Sequence, residues 1–190
     1  DAWSLRRDPI VRDLFHEDAK RLISIVYGVL LVACALSFIV ARLAPHRWGL
    51  VYLVTAIAVS TLSVALLKDV THVNCPWSVD RYGGNVPYLS TWREMLYGQS
   101  GRCFPSGHAS SGFALLALYF FCRSRAPRLR WYAFAAALAL GLAFGIAQQL
   151  RGAHFLSHTL WSMWITAALI WTLLSGLAWV QRARVQPRPQ

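Results

Sequence analysis

Phe104-Pro-Ser-Gly-His108-Ala-Ser-Ser-Gly-Phe-Ala-Leu-Leu-Ala-Leu-Tyr-Phe-Phe-Cys122 joins the end of a polar loop to an apolar helix. From Ser110 to Cys122 no side chain is charged. Counted from Ser106 the segment falls within the about 17 to 25 residues of a membrane-crossing helix. Its start has a different character. A helix N-terminus carries unpaired backbone N–H groups and the positive end of the helix dipole, so it favours anions. Ser106 is a suitable N-cap, Gly107 lets a ligand approach the backbone, and His108 exchanges a proton near neutral pH. These are the parts of a phosphate site with an acid attached.

The neighbouring blocks share the apolar character. Leu22–Leu43 has no charge between Arg21 and Arg42, and Trp48–Leu67, Trp131–Leu150 and (with a neutral His158) His158–Val180 are also uncharged. Each reaches the roughly 20 residues that span a bilayer core. Of 190 residues 56% are hydrophobic and 14% charged, and the mean hydropathy is +0.41. That is too little charge for a soluble domain with a buried helical core. The expected fold is all-α, a polytopic integral membrane helix bundle with five transmembrane helices in one domain spanning residues 1–190. Residues 1–20, where Leu5, Ile10, Leu14 and Phe15 alternate with charges, read as an interfacial segment. Residues 68–105 read as a loop and 181–190 as a flexible tail. The charged opening does not resemble a signal peptide, and a sixth, N-terminal helix is compatible with it.

Five helices alternate the loops between two sides. One side holds Arg42–Arg47, Arg123–Arg130 and the tail from Gln181, with nine Arg and no acid, the cytoplasmic pattern. The other side holds ten Lys or Arg and all eight acids. The net charge of +11 is therefore read as a topology signal rather than a nucleic-acid footprint. Trp48, Trp77, Trp131, Trp161 and Trp179 near helix ends suit an interfacial belt. Cys34 and Cys122 fall in apolar helices, whereas Cys75 and Cys103 bracket 27 residues of the second-side loop. An oxidising compartment would allow that pair to close a disulfide.

Lys68 at the exit of the second helix, Ser106, Gly107 and His108 at the entry of the third, and His154 and His158 between the fourth and fifth all reach this second side. Phosphoryl transfer needs cations around the equatorial oxygens, an in-line nucleophile and an acid for the leaving oxygen. Lys68 supplies a point charge; Arg102 and Arg151, with Arg81 and Arg93 as further candidates, supply bidentate forks. One histidine can attack phosphorus while another protonates the departing alkoxide. Taken singly, the same residues also read as a snorkelling lysine, a plain helix cap, or polar groups of a helix start, and His154 and His158 at spacing four as metal ligands.

Lys68-Asp-Val-Thr-His-Val-Asn-Cys75-Pro76, Phe104-Pro-Ser-Gly-His108 and Arg151-Gly-Ala-His154-Phe-Leu-Ser-His158 resemble the three motifs of the type 2 phosphatidic acid phosphatases, a superfamily that includes vanadium haloperoxidases and soluble acid phosphatases. The resemblance implies that Lys68, Ser106 and Gly107 bind phosphate. It implies that His108 protonates the leaving group, that His154 forms a phosphohistidine, and that neither metal nor other cofactor is needed. Three positions depart from the pattern. Cys75 and Gln148 stand where the motifs have Arg, and His158 where the third has the Asp that orients the nucleophile. Arg151, about a turn beyond Gln148, and Arg102, four residues before Ser106, are the expected replacements. His158, or Asp69 or Asp80, is the expected substitute for the missing Asp. A register with His158 as nucleophile spoils the Gly-x-His match.

The expected activity is a membrane lipid phosphatase. Its site would open on the periplasmic face of a bacterial inner membrane. Its substrate would be a lipid phosphate or diphosphate, with lipid A, undecaprenyl diphosphate and phosphatidylglycerol phosphate as candidates. A lipid phosphotransferase, a lipid-phosphate binder without turnover, and a membrane metal or haem protein ligated by His108, His154 and His158 are the alternatives.

Overall fold

The computed structural model describes residues 8–9, 17–98 and 101–185, and every element in it is helical apart from one isolated bridge between Val79 and Val86. Most of the interfacial segment expected over 1–20, and the tail beyond 185, lie outside the described residues. The helices are α1 (Ala19–Leu36), α2 (Arg47–Thr71), the short α3 (Thr91–Tyr97), α4 (Gly107–Phe113), α5 (Ala117–Arg125), α6 (Leu129–Leu150) and α7 (Leu156–Val185). A single turn of 3-10 helix, Ala114–Leu116, joins α4 to α5.

Four helices are long and apolar enough to cross a membrane: α1, α2, α6 and α7. The chain is thus a membrane protein of helical-bundle type. The fifth expected span, the α4–α5 run, is the shortest and occupies the centre. Ala109, Phe113, Ala114 and Ala117 are wholly buried in it, packed with Leu53 and Ala56 of α2, Ala137 of α6 and Ile170 of α7. A central helix is covered by protein rather than lipid, so it does not need the length of a lipid-facing one. Close approach around it depends on small residues, as in other membrane bundles. A Cβ on Gly112 would stand 2.6 Å from the backbone nitrogen of Gly141, and one on Gly145 would collide with Cγ2 of Thr159.

Three boundaries differ from the apolar blocks. Helix α1 stops at Leu36 although the uncharged stretch continues to Ala41. Arg47 donates from Nε and Nη2 to the carbonyl of Ser37 at 3.0 and 2.9 Å, a cation placed at the negative end of the helix. Helix α2 runs to Thr71, so Lys68 belongs to its last turn instead of opening the loop. Helix α7 continues to Val185, so the first five residues of the expected tail are helical.

The loops segregate as the alternation requires. At one end, Arg125 Nε donates to His46 Nδ1 at 3.1 Å, joining the two Arg-rich loops. At the other, the Trp77 amide donates to the Gly152 carbonyl at 3.0 Å and the Ser106 amide to the His158 carbonyl at 3.4 Å. Cys75 and Cys103 form a disulfide with Cα atoms 5.2 Å apart. It lies beside the Cys103 amide bond to the Val73 carbonyl (2.9 Å).

Candidate active site

The site gathers where α2 ends, α4 begins and the α6–α7 turn closes. Helix α2 terminates at His72, whose left-handed φ of 51° turns the chain back. Thr71 Oγ1 donates to the Phe104 carbonyl at 2.6 Å, which ties the end of α2 to the residues that open α4. Lys68, one turn inside α2, thereby lies against the start of α4, its Nζ 3.6 Å from where a Cβ on Gly107 would be. The ammonium and the free face of Gly107 together make a place for an anion beside backbone amides.

Ser106 holds the N-cap position, but its hydroxyl makes no capping bond. Fully buried, its Oγ has no hydrogen-bond partner among the described residues. The side chain read as a cap is thus left available to a ligand, and burying it unpaired has a cost that a bound oxygen would relieve. His108, one residue into α4, lines an open cavity of about 410 Å³ together with Lys68 and Gly107.

The α6–α7 turn supplies the other two histidines. Gly152, at φ 71°, makes the reversal that a side chain would strain. The Gln148 carbonyl then accepts from the amides of Ala153 (2.9 Å) and His154 (3.4 Å). His154 is 5% exposed and His158 wholly buried, with their Nδ1 atoms 3.4 Å apart. Phe104 packs edge-on against the His158 ring at 5.2 Å, linking the second and third motifs. Neither His154 nor His158 lines that cavity. Burial holds the His154 imidazole well below the ordinary histidine range, and the neighbouring His158 and Lys68 push the same way, against the Cys103 backbone.

The arginines divide. Arg151 is buried and its Nη1 donates to Gln148 Oε1 at 3.4 Å, so its guanidinium reaches the residue that replaces the motif arginine. Arg102, largely exposed to solvent, pairs with Asp69, which is about half exposed. Arg81 stacks on the Tyr88 ring at 5.3 Å, and Arg93 is exposed. Of the two acids suggested as substitutes for the missing Asp, Asp69 is thus held by Arg102. Asp80 Oδ1 accepts from the amides of Arg81 and Tyr88, shaping its own loop. Among the described residues no group of three His, Cys, Asp or Glu side chains is placed to hold a metal ion.

Sequence reasoning passed over Glu94. This nearly buried carboxylate accepts from Asn74 Nδ2 at 3.0 Å and from the Asn74 amide at 3.3 Å, which ties α3 to the first-motif segment. Its only signal in the sequence is an acid inside a short apolar helix.

The model of the PAP2 superfamily matches residues 49–182, from the start of α2 almost to the end of α7. The chain belongs to the PAP2 superfamily. No curated protein and no solved structure matches it. The matched stretch includes every histidine and cation just described at the site, and PAP2 membership supports phosphatase or phosphoryl-transfer chemistry in general.

Proposed function

We propose that the chain is a lipid phosphatase acting through a phosphohistidine on His154, at the periplasmic face of a bacterial inner membrane. The observation that supports it best is the buried pairing of His154 with His158, their Nδ1 atoms 3.4 Å apart. A contact between two Nδ1 atoms requires one to donate and the other to accept. With His154 Nδ1–H donating to His158, the lone pair of His154 rests on Nε2, the nitrogen that attacks. His158 then orients the nucleophile as the family's Asp does, but through a neutral acceptor.

His154 Nε2 forms a bond to phosphorus as the bond to the lipid oxygen breaks, and protonated His108 donates its proton to that oxygen. Lys68, Arg151, the Ser106 hydroxyl and the first amides of α4 hold the equatorial oxygens. Water then attacks the phosphohistidine, its proton returns to His108, and inorganic phosphate leaves. Arg102 acts from the rim in this scheme, its charge shared with Asp69.

Purified protein is expected to release phosphate from a short-chain lipid phosphate in EDTA, and His154→Ala to abolish release. Unchanged turnover in His154→Ala removes the nucleophile assignment. The replacement of the motif Asp by His158 favours a second reading, a binder without turnover, and a folded wild type releasing nothing from a lipid panel selects it. A lipid phosphotransferase would pass the phosphoryl group of the same phosphohistidine to a second lipid instead of to water.

A further inference from the structure

A groove runs between α5, α6 and α7 toward the Arg-rich end of the bundle, away from the candidate active site. Its cavity of about 410 Å³ is walled by Tyr119 and Phe120 of α5, Trp131 and Phe134 of α6, and Ala167 and Trp171 of α7. The rings meet across the helices, with centroids 5.4 Å apart for Tyr119 and Trp131 and 6.2 Å apart for Phe120 and Trp171. Trp131 and Trp171 are nevertheless 56% and 59% exposed, so the described residues form the groove without covering it. Its course is that of an acyl chain. Trp131 is in the first turn of α6, beside the Arg-rich loop. Ala167 and Trp171 are roughly 17 and 23 Å along α7 from Leu156 at 1.5 Å per residue. In a hydrocarbon core about 30 Å thick, that leads from the bilayer middle into the Arg-rich leaflet.

The mouth of the groove is cationic. The Arg130 guanidinium carbon lies 5.2 Å from the ring centroid of Trp131, so the cation stacks on one wall. Its Nε is buried with no hydrogen-bond partner among the described residues, a cost that a phosphate oxygen would relieve. Arg123 stands one turn beyond Tyr119 on α5, and neither Arg42–Arg47 nor Arg123–Arg130 contains an acid. A second copy seated here about a twofold axis along the membrane normal would set two such rims together with no acid between them. A lipid with a net negative head group suits both the aromatic wall and the basic mouth.

We propose that this groove is a binding site for an anionic glycerophospholipid, with one acyl chain along the aromatic wall and the phosphate on Arg130. Binding there requires no turnover at the candidate active site.

Native mass spectrometry of the full chain released from detergent tests this with dioleoyl phosphatidylglycerol and dioleoyl phosphatidylcholine, which share their chains and differ in net charge. The wild type is expected to bind the phosphatidylglycerol about tenfold more tightly, since choline brings its own cation to the phosphate. Arg130→Gln is expected to remove that preference. Ala167→Phe sets a ring into the groove from an exposed position, where the fold tolerates it, and is expected to weaken both lipids about tenfold or more. Equal wild-type affinities for the two lipids, or a preference that survives Arg130→Gln, overturn the anionic assignment. Phosphatidylglycerol binding unchanged by Ala167→Phe puts the lipid elsewhere and overturns the groove. A lipid-independent dimer that Ala167→Phe disperses gives the groove to a second copy and overturns the proposal as well.

Discussion

His154 and His158 face each other through their Nδ1 atoms at 3.4 Å in a buried pocket, where the motif of the superfamily has a histidine and an aspartate. A neutral imidazole accepts the hydrogen bond that fixes the tautomer of its partner but does not stabilise positive charge on it. Replacing His158 with Phe keeps the ring and removes the acceptor. The expected outcome is a fall in kcat of about 10²-fold or more, with KM little changed, since a wrong tautomer in a catalytic triad costs up to about 10⁴. His158→Asp restores an acceptor and is expected to match or exceed the wild type. Phosphate release under steady-state conditions measures both, and equal rates in His158→Phe and wild type would remove His158 from the mechanism.

The pH dependence follows from the same pair. Burial lowers the pKa of His154, so the nucleophile stays neutral as pH falls through the ordinary histidine value of about 6.5. The acid limb of log kcat/KM is expected below that value. An anion at 158 favours the charged imidazolium, so His158→Asp is expected to move the acid limb upward. Stability runs in the matching direction. Below about pH 6.5 the unfolded chain binds a proton at this site that the folded chain refuses, so stability falls with acidification until the lowered folded pKa is reached. Thermal unfolding in detergent should show a melting temperature that declines below about pH 6.5, and a decline that begins only in His158→Asp would contradict the assignment.

Arg151 reaches into the place of the missing motif arginine. Its Nη1 lies 3.4 Å from Gln148 Oε1, and both side chains are buried. Arg151→Gln is expected to lower kcat/KM by about 10²-fold, the usual effect of losing one preorganised donor to a developing charge. Adding Gln148→Arg in that background returns a guanidinium to the same locality and is expected to recover part of the loss. Arg102→Gln, at a solvent-exposed pair with Asp69, is expected to change kcat/KM by less than about tenfold. A loss no greater than about tenfold on Arg151→Gln as well would count against compensation.

These relationships mark what the sequence could and could not reveal. Charge-free blocks revealed the long helices, because length and apolarity are local properties that a bilayer reads directly. The placing of Arg151 beside Gln148 was legible too, because three residues along one helix make about a turn. The ion pair between Asp69 and Arg102 was not, since it depends on how the loop folds back after His72. Nor was the end of α1 at Leu36, where Arg47 competes for the Ser37 carbonyl from beyond the block. The loss of the Ser106 cap was equally hidden. A residue type favours a cap, but only the surrounding packing decides whether its hydroxyl turns to the amides.

The close approach of α4 to α6 makes the last prediction. Gly112 of α4 lies against the backbone of α6, where an added Cβ would be 2.6 Å from the Gly141 nitrogen and 2.7 Å from its Cα. Backbone cannot step aside as a flexible side chain can, so Gly112→Ala must push the two helices apart. Overpacking of this kind costs about 1–3 kcal/mol, and displacement of α4 also moves His108, four residues earlier. Gly28 of α1 is the control: nothing lies within 4 Å of an added Cβ there. Gly28→Ala removes backbone freedom from a helix interior and is expected to be neutral or stabilising by about 0.5–1 kcal/mol. Thermal unfolding in detergent separates the two, and an undiminished melting temperature in Gly112→Ala would show that α4 and α6 do not meet at these glycines.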